Sequence, residues 1–249
     1  SSTVAIAKPN VVDLVNTIIG TNGMGHTFPG ACVPFGLVQL SPDTDTIPHN
    51  VDGKYQPRSY EYCAGYQHKD SSIVGFSHTH FSGTGHSDLG DILIMPTTGT
   101  LKLNPGTATN PDGGYRSRFS HGTEISRPGY YEVMLADYGV KAQLTTTQRV
   151  GIHKYTYPTN SENQRIILDM IHGIYNYDGK VLWTNIRVEN DTLVTGYRIT
   201  NGWARTNYTY FAMSFSKPIT HYGCEEKAKV NYRGGYAKFN MKENFPDIG

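Results

Sequence analysis

The stretch VKAQLT (Val140–Thr145) decides the fold class, because apolar and polar side chains alternate strictly along it. Successive side chains of an extended strand point to opposite faces, so this alternation predicts a β-strand with one face in a core. The stretch TYFAMSF (Thr209–Phe215) has the same period of two. Both stretches therefore predict strands that are apolar on one face.

Similar candidates follow one another at intervals of roughly ten residues, with turn residues between them. Further strands are predicted at Val33–Leu40, Ser72–Phe76, Ile92–Met95, Tyr115–Phe119, Tyr130–Leu135, Ile152–Tyr157, Arg165–Ile171, Trp183–Glu189, Thr192–Ile199 and Gly235–Asn240. Helical spacing of apolar residues occurs once, between Val11 and Ile18, and allows at most two turns. The sequence predicts an all-β fold, an antiparallel β-sandwich of many strands with one short N-terminal helical turn.

Composition excludes several classes of protein. The 249 residues include 22 Lys and Arg against 21 Asp and Glu, a net charge of +1, without the basic patch of a nucleic-acid binder. Mean hydropathy is −0.45, and no apolar stretch approaches the roughly 20 residues that a membrane-spanning helix needs. The cysteines Cys32, Cys63 and Cys224 are odd in number and far apart, so we interpret them as small buried hydrophobes.

The segment SHTHFSGTGHSDLGD (Ser77–Asp91) is dense in possible metal ligands. His78 and His80 are two positions apart, which on a strand would put both imidazoles on one face, and His86 with Asp88 could complete a mixed nitrogen and oxygen site. The alternative interpretation is that these side chains hydrogen-bond to the backbone and fix a long irregular connection. Spacing alone leaves a metal-dependent enzyme open.

Three further motifs could indicate nucleotide binding, a serine nucleophile or sugar binding, and the neighbouring residues decide between these interpretations. Gly23–Gly25 resembles a phosphate-cradling loop, but Pro29 and Gly30 cannot open the helix that such a loop requires. Ser77 lacks the strand–turn–helix setting of an activated nucleophile. A cluster of aromatic residues between Tyr55 and Tyr66 could stack on the apolar face of a sugar ring.

Two long motifs resemble a known family. GHTFPGACVPFGLVQLSPDT (Gly25–Thr44) and GYQHKDSSIVGFSHTHFSGTGHSDLGDILIMPTTG (Gly65–Gly99) closely resemble the N-terminal domain of glycoside hydrolase family 92, the exo-acting α-mannosidases. RPGYYEVMLADYGVKAQLTTTQRVGIHKYTYP (Arg127–Pro158) agrees as well. The resemblance extends from about Val15 to Phe239.

The resemblance implies a supersandwich-like N-terminal β-domain packed on a C-terminal (α/α)6 barrel, with the active site between them. Family members are calcium-dependent inverting α-mannosidases whose catalytic acid, base and calcium ligands come from the barrel. We therefore expect residues 1–249 to form one β-sandwich domain, with a lead-in over residues 1–20 and the start of a linker to the barrel over 243–249. We expect this chain alone to be inactive and to expose apolar surface.

The resemblance also implies roles for individual residues. The family's substrate-binding positions correspond here to Gly23, Met24, Gly25, His26, Tyr60, Glu61 and Cys63. Tyr60 stands where the family has a stacking tryptophan, so the family's usual α-1,2 linkage preference does not carry over. The residues expected to structure loops or the domain interface are His78, His80, His86, Asp88 and Asp91. No catalytic residue and no metal ligand is expected in this chain.

The principal hypothesis is thus the pocket-completing domain of an α-mannosidase that acts on N-glycans or mannans. Its partners would be its own C-terminal domain and mannose-containing glycans, and calcium would bind in that other domain. By resemblance, the protein would be periplasmic, cell-surface or secreted. A stand-alone carbohydrate-binding module is the alternative.

Overall fold

The computed structural model describes residues 10–83, 88–175, 177, 179–223, 226–228 and 237–239. In this part of the chain antiparallel strands dominate, which confirms the all-β prediction. The helices found there are short 3-10 segments at Val11–Leu14, Pro57–Tyr62, Pro111–Gly113 and His121–Thr123. None of the described helices is long and apolar enough to cross a membrane.

Eighteen strands are numbered in chain order within the described residues. They are β1 (Ala31–Cys32), β2 (Gln39–Asp43), β3 (Asn50–Val51), β4 (Lys54–Tyr55), β5 (Ser72–Ile73), β6 (Gly75–Ser77), β7 (Leu93–Thr97), β8 (Ser117–Arg118), β9 (Ile125–Arg127), β10 (Tyr130–Leu135), β11 (Val140–Thr146), β12 (Gly151–Thr156), β13 (Arg165–Asp169), β14 (Val181–Asn190), β15 (Leu193–Thr200), β16 (Asn207–Ser214), β17 (Glu226–Ala228) and β18 (Ala237–Phe239).

These strands form three larger sheets and three small pairs. The first sheet has the order β1–β2–β6–β7–β13, and the second has the order β12–β11–β10–β9. The third sheet consists of β14, β15 and β16. The pairs are β3 with β4, β5 with β8, and β17 with β18.

The first two sheets face each other across the main core, so the sandwich prediction is confirmed. In the antiparallel register of β10 and β11, Val133 lies opposite Ala142 and Leu135 opposite Val140, and all four side chains are buried. The facing sheet contributes buried apolar side chains to the same core, among them Leu40, Phe76, Leu93, Met95 and Ile167. Burial of apolar surface on this scale is the main stabilising term of the fold.

The third sheet, β14–β16, is less deeply buried by other parts of the protein than the two sheets of the main core. Along β16, half-buried positions alternate with exposed ones, so the period of two is confirmed. Phe211 and Met213 are only half-buried, however, although the alternation predicts that their face lies in a core. The pattern sets which side chains share a face, whereas the depth of burial depends on what packs over that face.

The N-terminal helical turn is confirmed at Val11–Leu14, with Asn10 as its N-cap. Its apolar side chains lie on the surface, and so do Ile19, Phe35 and Leu37. The expectation of exposed apolar surface is therefore met in the described part of this region. The predicted linker over residues 243–249 lies outside the described residues.

The cysteine interpretation is confirmed at Cys63, which is buried, and is wrong at Cys32, which is exposed on the short strand β1. Cys32 lies on the outward face of that edge strand, so its side chain is not packed into the core. Cys224 lies outside the described residues.

Candidate functional site

A glycine-rich loop at residues 23–25 is held by one buried side chain. The Gly23 N–H donates to Gln67 Oε1 over 2.7 Å, and Gln67 Nε2 donates back to the Gly23 carbonyl over 2.9 Å. Gln67 is 1% exposed and also donates to the Glu61 carbonyl. The Gln67 amide therefore ties the loop to the 3-10 helix Pro57–Tyr62.

Both glycines of this loop meet a steric requirement. Gly23 has φ +57°, a left-handed conformation that glycine adopts at little cost. A Cβ on Gly25 would lie 2.2 Å from the Gly20 carbonyl oxygen, so no larger residue fits. Between them, Met24 is 61% exposed. The backbone thus presents the Met24 side chain outward.

His26 follows this loop and is buried against Tyr60. Its φ of 54° is unusual for a residue with a Cβ, and its ring makes a T-shaped contact with the Tyr60 ring, with the two centroids 4.6 Å apart. Burial lowers the His26 pKa, although a hydrogen bond to the Tyr60 backbone opposes this shift. Nε2 of His26 is buried and has no hydrogen-bond partner among the described residues. A buried polar atom without a partner is costly and calls for an explanation.

Tyr60, Glu61 and Cys63 lie together at the end of the 3-10 helix Pro57–Tyr62. Tyr60 packs on a second apolar cluster that contains Cys63, Ile174 and Tyr175. The Cys63 thiol is buried beneath it, and this burial raises its pKa to about 12. Glu61 is partly exposed and forms an ion pair with Lys69.

A charged centre is buried deeper, at the end of β2. Asp43 is fully buried, and its Oδ1 is 2.8 Å from His80 Nε2 while its Oδ2 is 2.7 Å from His172 Nε2. The Ser77 hydroxyl also donates to Oδ2 over 2.7 Å. Burial alone would raise the Asp43 pKa, but His80 and His172 hold it well below its usual range.

His80 is fixed from both ring nitrogens, because its Nδ1 donates to the Gln39 carbonyl over 2.8 Å. Its Nε2 faces the Asp43 carboxylate, so both ring nitrogens of His80 have partners. The Ser77 hydroxyl is fully buried in this centre, consistent with the sequence argument against a serine nucleophile.

His78 takes part in a different, uncharged chain. Its Nδ1 donates to the Ile92 carbonyl over 2.7 Å, and its Nε2 lies 3.0 Å from His153 Nε2. His153 Nδ1 in turn accepts from the Tyr155 hydroxyl over 2.7 Å. Burial lowers the pKa of His78 to about 4 and that of His153 well below its ordinary value, so both rings are neutral at pH 7.

The two aspartates of the same segment bind different elements. Asp88 accepts the backbone N–H groups of Trp203 at 2.7 Å and Ala204 at 2.9 Å. Asp91 is buried, accepts from the Thr79 hydroxyl over 2.7 Å, and forms a 2.7 Å ion pair with the fully buried Arg198. His86 lies outside the described residues.

A shared metal site on His78 and His80 does not fit this geometry. Strand β6 ends at Ser77, so the two imidazoles do not share a strand face and instead have separate partners. In the described residues, the group that brings three possible metal ligands together is His68, His121 and Glu124.

Sequence reasoning missed several residues that shape this region. Gln67, His172 and Arg198 are not among the residues that the sequence predicts to be functional. Each acts through a contact across more than 25 positions, such as the 129 positions between His172 and Asp43. Arg198 is a charged residue inside strand β15, whereas Gln67 and His172 lie outside the strands, and in none of the three cases does the local sequence identify the partner.

The whole chain can now be compared with known proteins. The model of the glycosyl hydrolase family 92 N-terminal domain matches residues 14–245. The chain therefore belongs to this family, as the two motifs predict.

Solved structures give the same relationship. A family GH92 α-mannosidase from Bacteroides thetaiotaomicron, solved in complex with mannoimidazole, is 39% identical over 94% of this chain, with a TM-score of 0.77. A second structure of the same α-mannosidase gives 39% identity and a TM-score of 0.76. A further GH92 family glycosyl hydrolase, ccman5, is 21% identical with a TM-score of 0.67, which shows a shared fold.

The relatives are longer than this chain. It covers 30% of the length of the mannoimidazole-bound α-mannosidase. A curated relative, an uncharacterized secreted glycosidase of Arthroderma benhamiae, is 29% identical over an alignment of 161 residues, and the match covers 61% of this chain and 18% of the relative.

Proposed function

We propose that this chain is the part of an inverting α-mannosidase that completes the sugar pocket, and that it has no activity without a catalytic domain. The substrates would be terminal mannose residues of N-glycans or mannans. Support comes from family membership and from the 39% identity to an α-mannosidase that binds mannoimidazole. We further propose that the whole protein acts outside the cytoplasm, as the secreted relative does.

The observation that carries the proposal is the unpartnered Nε2 of His26 beside the Gly23–Gly25 loop. The hydrogen bond of His26 to the Tyr60 backbone and its lowered pKa favour a neutral ring whose second nitrogen can accept a hydrogen bond. A sugar hydroxyl is a suitable donor to such a nitrogen. Tyr60, packed against this ring, would offer an aromatic face to the same sugar.

Inversion requires an acid that protonates the glycosidic oxygen and a base that activates water on the opposite side of the sugar ring. The proposed role of this chain is to bind and orient the sugar and to exclude water while groups from another domain transfer the protons. Gln67 is a positioning residue in this scheme, because it fixes the loop that precedes His26.

Calcium does not fit the ligand groups found in the described residues. Ca²⁺ takes six to eight oxygen ligands, whereas the group His68, His121 and Glu124 offers two imidazole nitrogens and one carboxylate. That calcium binds in another domain of the protein stays a proposal that the family resemblance suggests, and no step is assigned to calcium here.

The first experiment is to assay the 249-residue chain, and the longest protein encoded by the same reading frame, on 4-nitrophenyl α-mannoside and on mannobioses. We expect no hydrolysis by the chain alone and calcium-dependent hydrolysis with inversion by a longer protein. Turnover by the chain alone would contradict the proposal.

Variants of the active protein test the pocket residues. His26→Ala and Tyr60→Ala should each lower kcat/KM by about tenfold or more, because binding contacts of this kind are worth 1–3 kcal/mol. Tyr60→Trp should keep activity, since it restores the family's aromatic residue. Tyr208→Ala, an exposed tyrosine on β16, is the matched control. Equal activity of all four variants would show that the pocket assignment is wrong.

The carbohydrate-binding module remains the competing function. Calorimetric titration of the chain with mannose and mannobiose separates the two, because half a pocket should bind no tighter than millimolar. Micromolar binding would favour the module.

A further inference from the structure

A cluster of three ligand-type side chains lies apart from the proposed sugar contacts. His68 follows the buried Gln67, His121 begins the 3-10 helix His121–Thr123, and Glu124 is the C-cap of that helix. One ligand atom from each residue lies within 4.8 Å of the other two. Residues 53 positions apart in the chain are thus brought to one point of the surface.

The Glu124 carboxylate is fixed before any ion binds. Its side chain is 3% exposed, and it accepts the Tyr131 hydroxyl at 2.6 Å and the Tyr66 hydroxyl at 2.9 Å. Burial raises the pKa values of both tyrosines, so the two phenols remain protonated donors. Fixed outer hydrogen bonds of this kind orient a metal ligand and hold its geometry.

This carboxylate has little positive charge beside it. Among the described residues, its ion-pair partner is His121, whose Nδ1 is 2.7 Å from Oε2, and no lysine or arginine pairs with it. A divalent cation bound beside Glu124 would compensate this buried negative charge.

The two histidines lie side by side next to this carboxylate. Their ring centroids are 4.0 Å apart, and the rings are tilted by 31° to each other. His68 Nδ1 is 3.5 Å from the Tyr66 hydroxyl, at the limit of a hydrogen bond, so little holds the ring in place. His121 is 39% exposed, which gives a hydrated ion access and allows its ring to close on the ion.

We propose that His68, His121 and Glu124 form a binding site for a divalent transition-metal ion of the zinc class. Two imidazole nitrogens and one carboxylate oxygen are the ligand set that suits such an ion, with bonds of about 2.0–2.2 Å. Three protein ligands leave a fourth position open to water or to a group from a partner. The nearest alternative is a hydrogen-bonded His121–Glu124 pair that caps the 3-10 helix and binds nothing.

The test uses the 249-residue chain, freed of any affinity tag and dialysed against EDTA. Calorimetric titration with Zn²⁺ should give one bound ion per chain with micromolar or tighter affinity. Substitution with Co²⁺ should give visible absorption bands of a low-coordinate nitrogen and oxygen site, a readout that helix capping does not produce.

Single variants decide between the two interpretations. His121→Asn and Glu124→Gln should weaken Zn²⁺ binding by about 10- to 100-fold, and His49→Asn, a partly exposed histidine elsewhere, should not. His121→Asn alters an exposed side chain and should fold normally, which circular dichroism checks. Absence of stoichiometric Zn²⁺ binding, or equal binding by His121→Asn and the control, would overturn the proposal.

Discussion

The main sandwich and the three-stranded sheet β14–β16 have the same alternating sequence pattern but differ in how they are covered. In β11, alternate side chains from Val140 onward are almost fully buried. In β16, the equivalent positions are only half-buried, and Tyr208 and Tyr210 on the other face are 56% and 71% exposed. A period of two therefore identifies a strand and its two faces, but it does not say whether either face is covered.

The polar residues differ in the same way. In the main sandwich, Asp43 is buried together with two histidines. Near the C-terminal end of β15, Arg198 is buried and forms an ion pair with Asp91. Farther along the third sheet, charged pairs such as Arg187 with Glu189 lie at the surface. Stability should thus depend strongly on the first group and weakly on the second.

The largest expected effect comes from the buried carboxylate. Asp43→Asn keeps the shape of the side chain but takes the buried carboxylate away from His80 and His172, so we expect a loss of about 3–5 kcal/mol in the free energy of unfolding. Urea denaturation of both proteins measures this change in the free energy of unfolding. The matched control is Asp112→Asn, which breaks only an exposed pair with Arg118 and should change stability far less. Equal losses in both variants would remove the distinction between the two regions.

Apolar truncation provides the second comparison. Leu144→Ala, in the main core, should lower the free energy of unfolding by about 2–5 kcal/mol because it leaves a cavity. Met213→Ala, at a half-buried position in β16, should lower it by about 1 kcal/mol or less. A loss at Met213 as large as that at Leu144 would mean that the third sheet is covered in solution, for example by self-association, which light scattering detects.

Apart from these truncations, the stability should also depend on pH through His78. Its folded-state pKa of about 4 lies below the ordinary value of 6.5, so the unfolded chain binds the proton first as pH falls. The contribution of neutral His78 to the free energy of unfolding is complete above pH 6.5 and is lost progressively as pH falls toward 4. His78→Asn keeps the donor to the Ile92 carbonyl and lacks the titration, so its stability should fall less over this range. Parallel curves of urea midpoint against pH for both proteins would contradict the assignment.

The strands were predictable because their signal is local. The prediction for Tyr130–Leu135 agrees with β10 at both ends, and the predictions near β12 and β15 are displaced by one residue. Strand ends in the loop-rich part were harder to predict. The expected strand Val33–Leu40 is replaced by β1 and by β2, which begins at Gln39, because pairing partners from distant segments decide where a ladder begins.

The candidate site shows the same division. The family motifs identify the Gly23–His26 loop and Tyr60 as positions of interest, and their roles in sugar binding stay predictions. The partners that fix them, Gln67 for the loop and His172 for Asp43, have no local signature in the sequence. Their roles follow from which side chains meet after folding.

The sequence by itself determined the all-β class, the two faces of the strands and membership in family 92, because each of these is encoded by patterns or motifs of residues that are close together in the chain. The tertiary structure alone decided which carboxylates are buried with histidines. It also decided that His78 and His80 bind different partners, and that His68 lies close to His121 and Glu124. The physical reason is that burial and charge pairing depend on distances between side chains in space, and separation along the chain does not fix those distances.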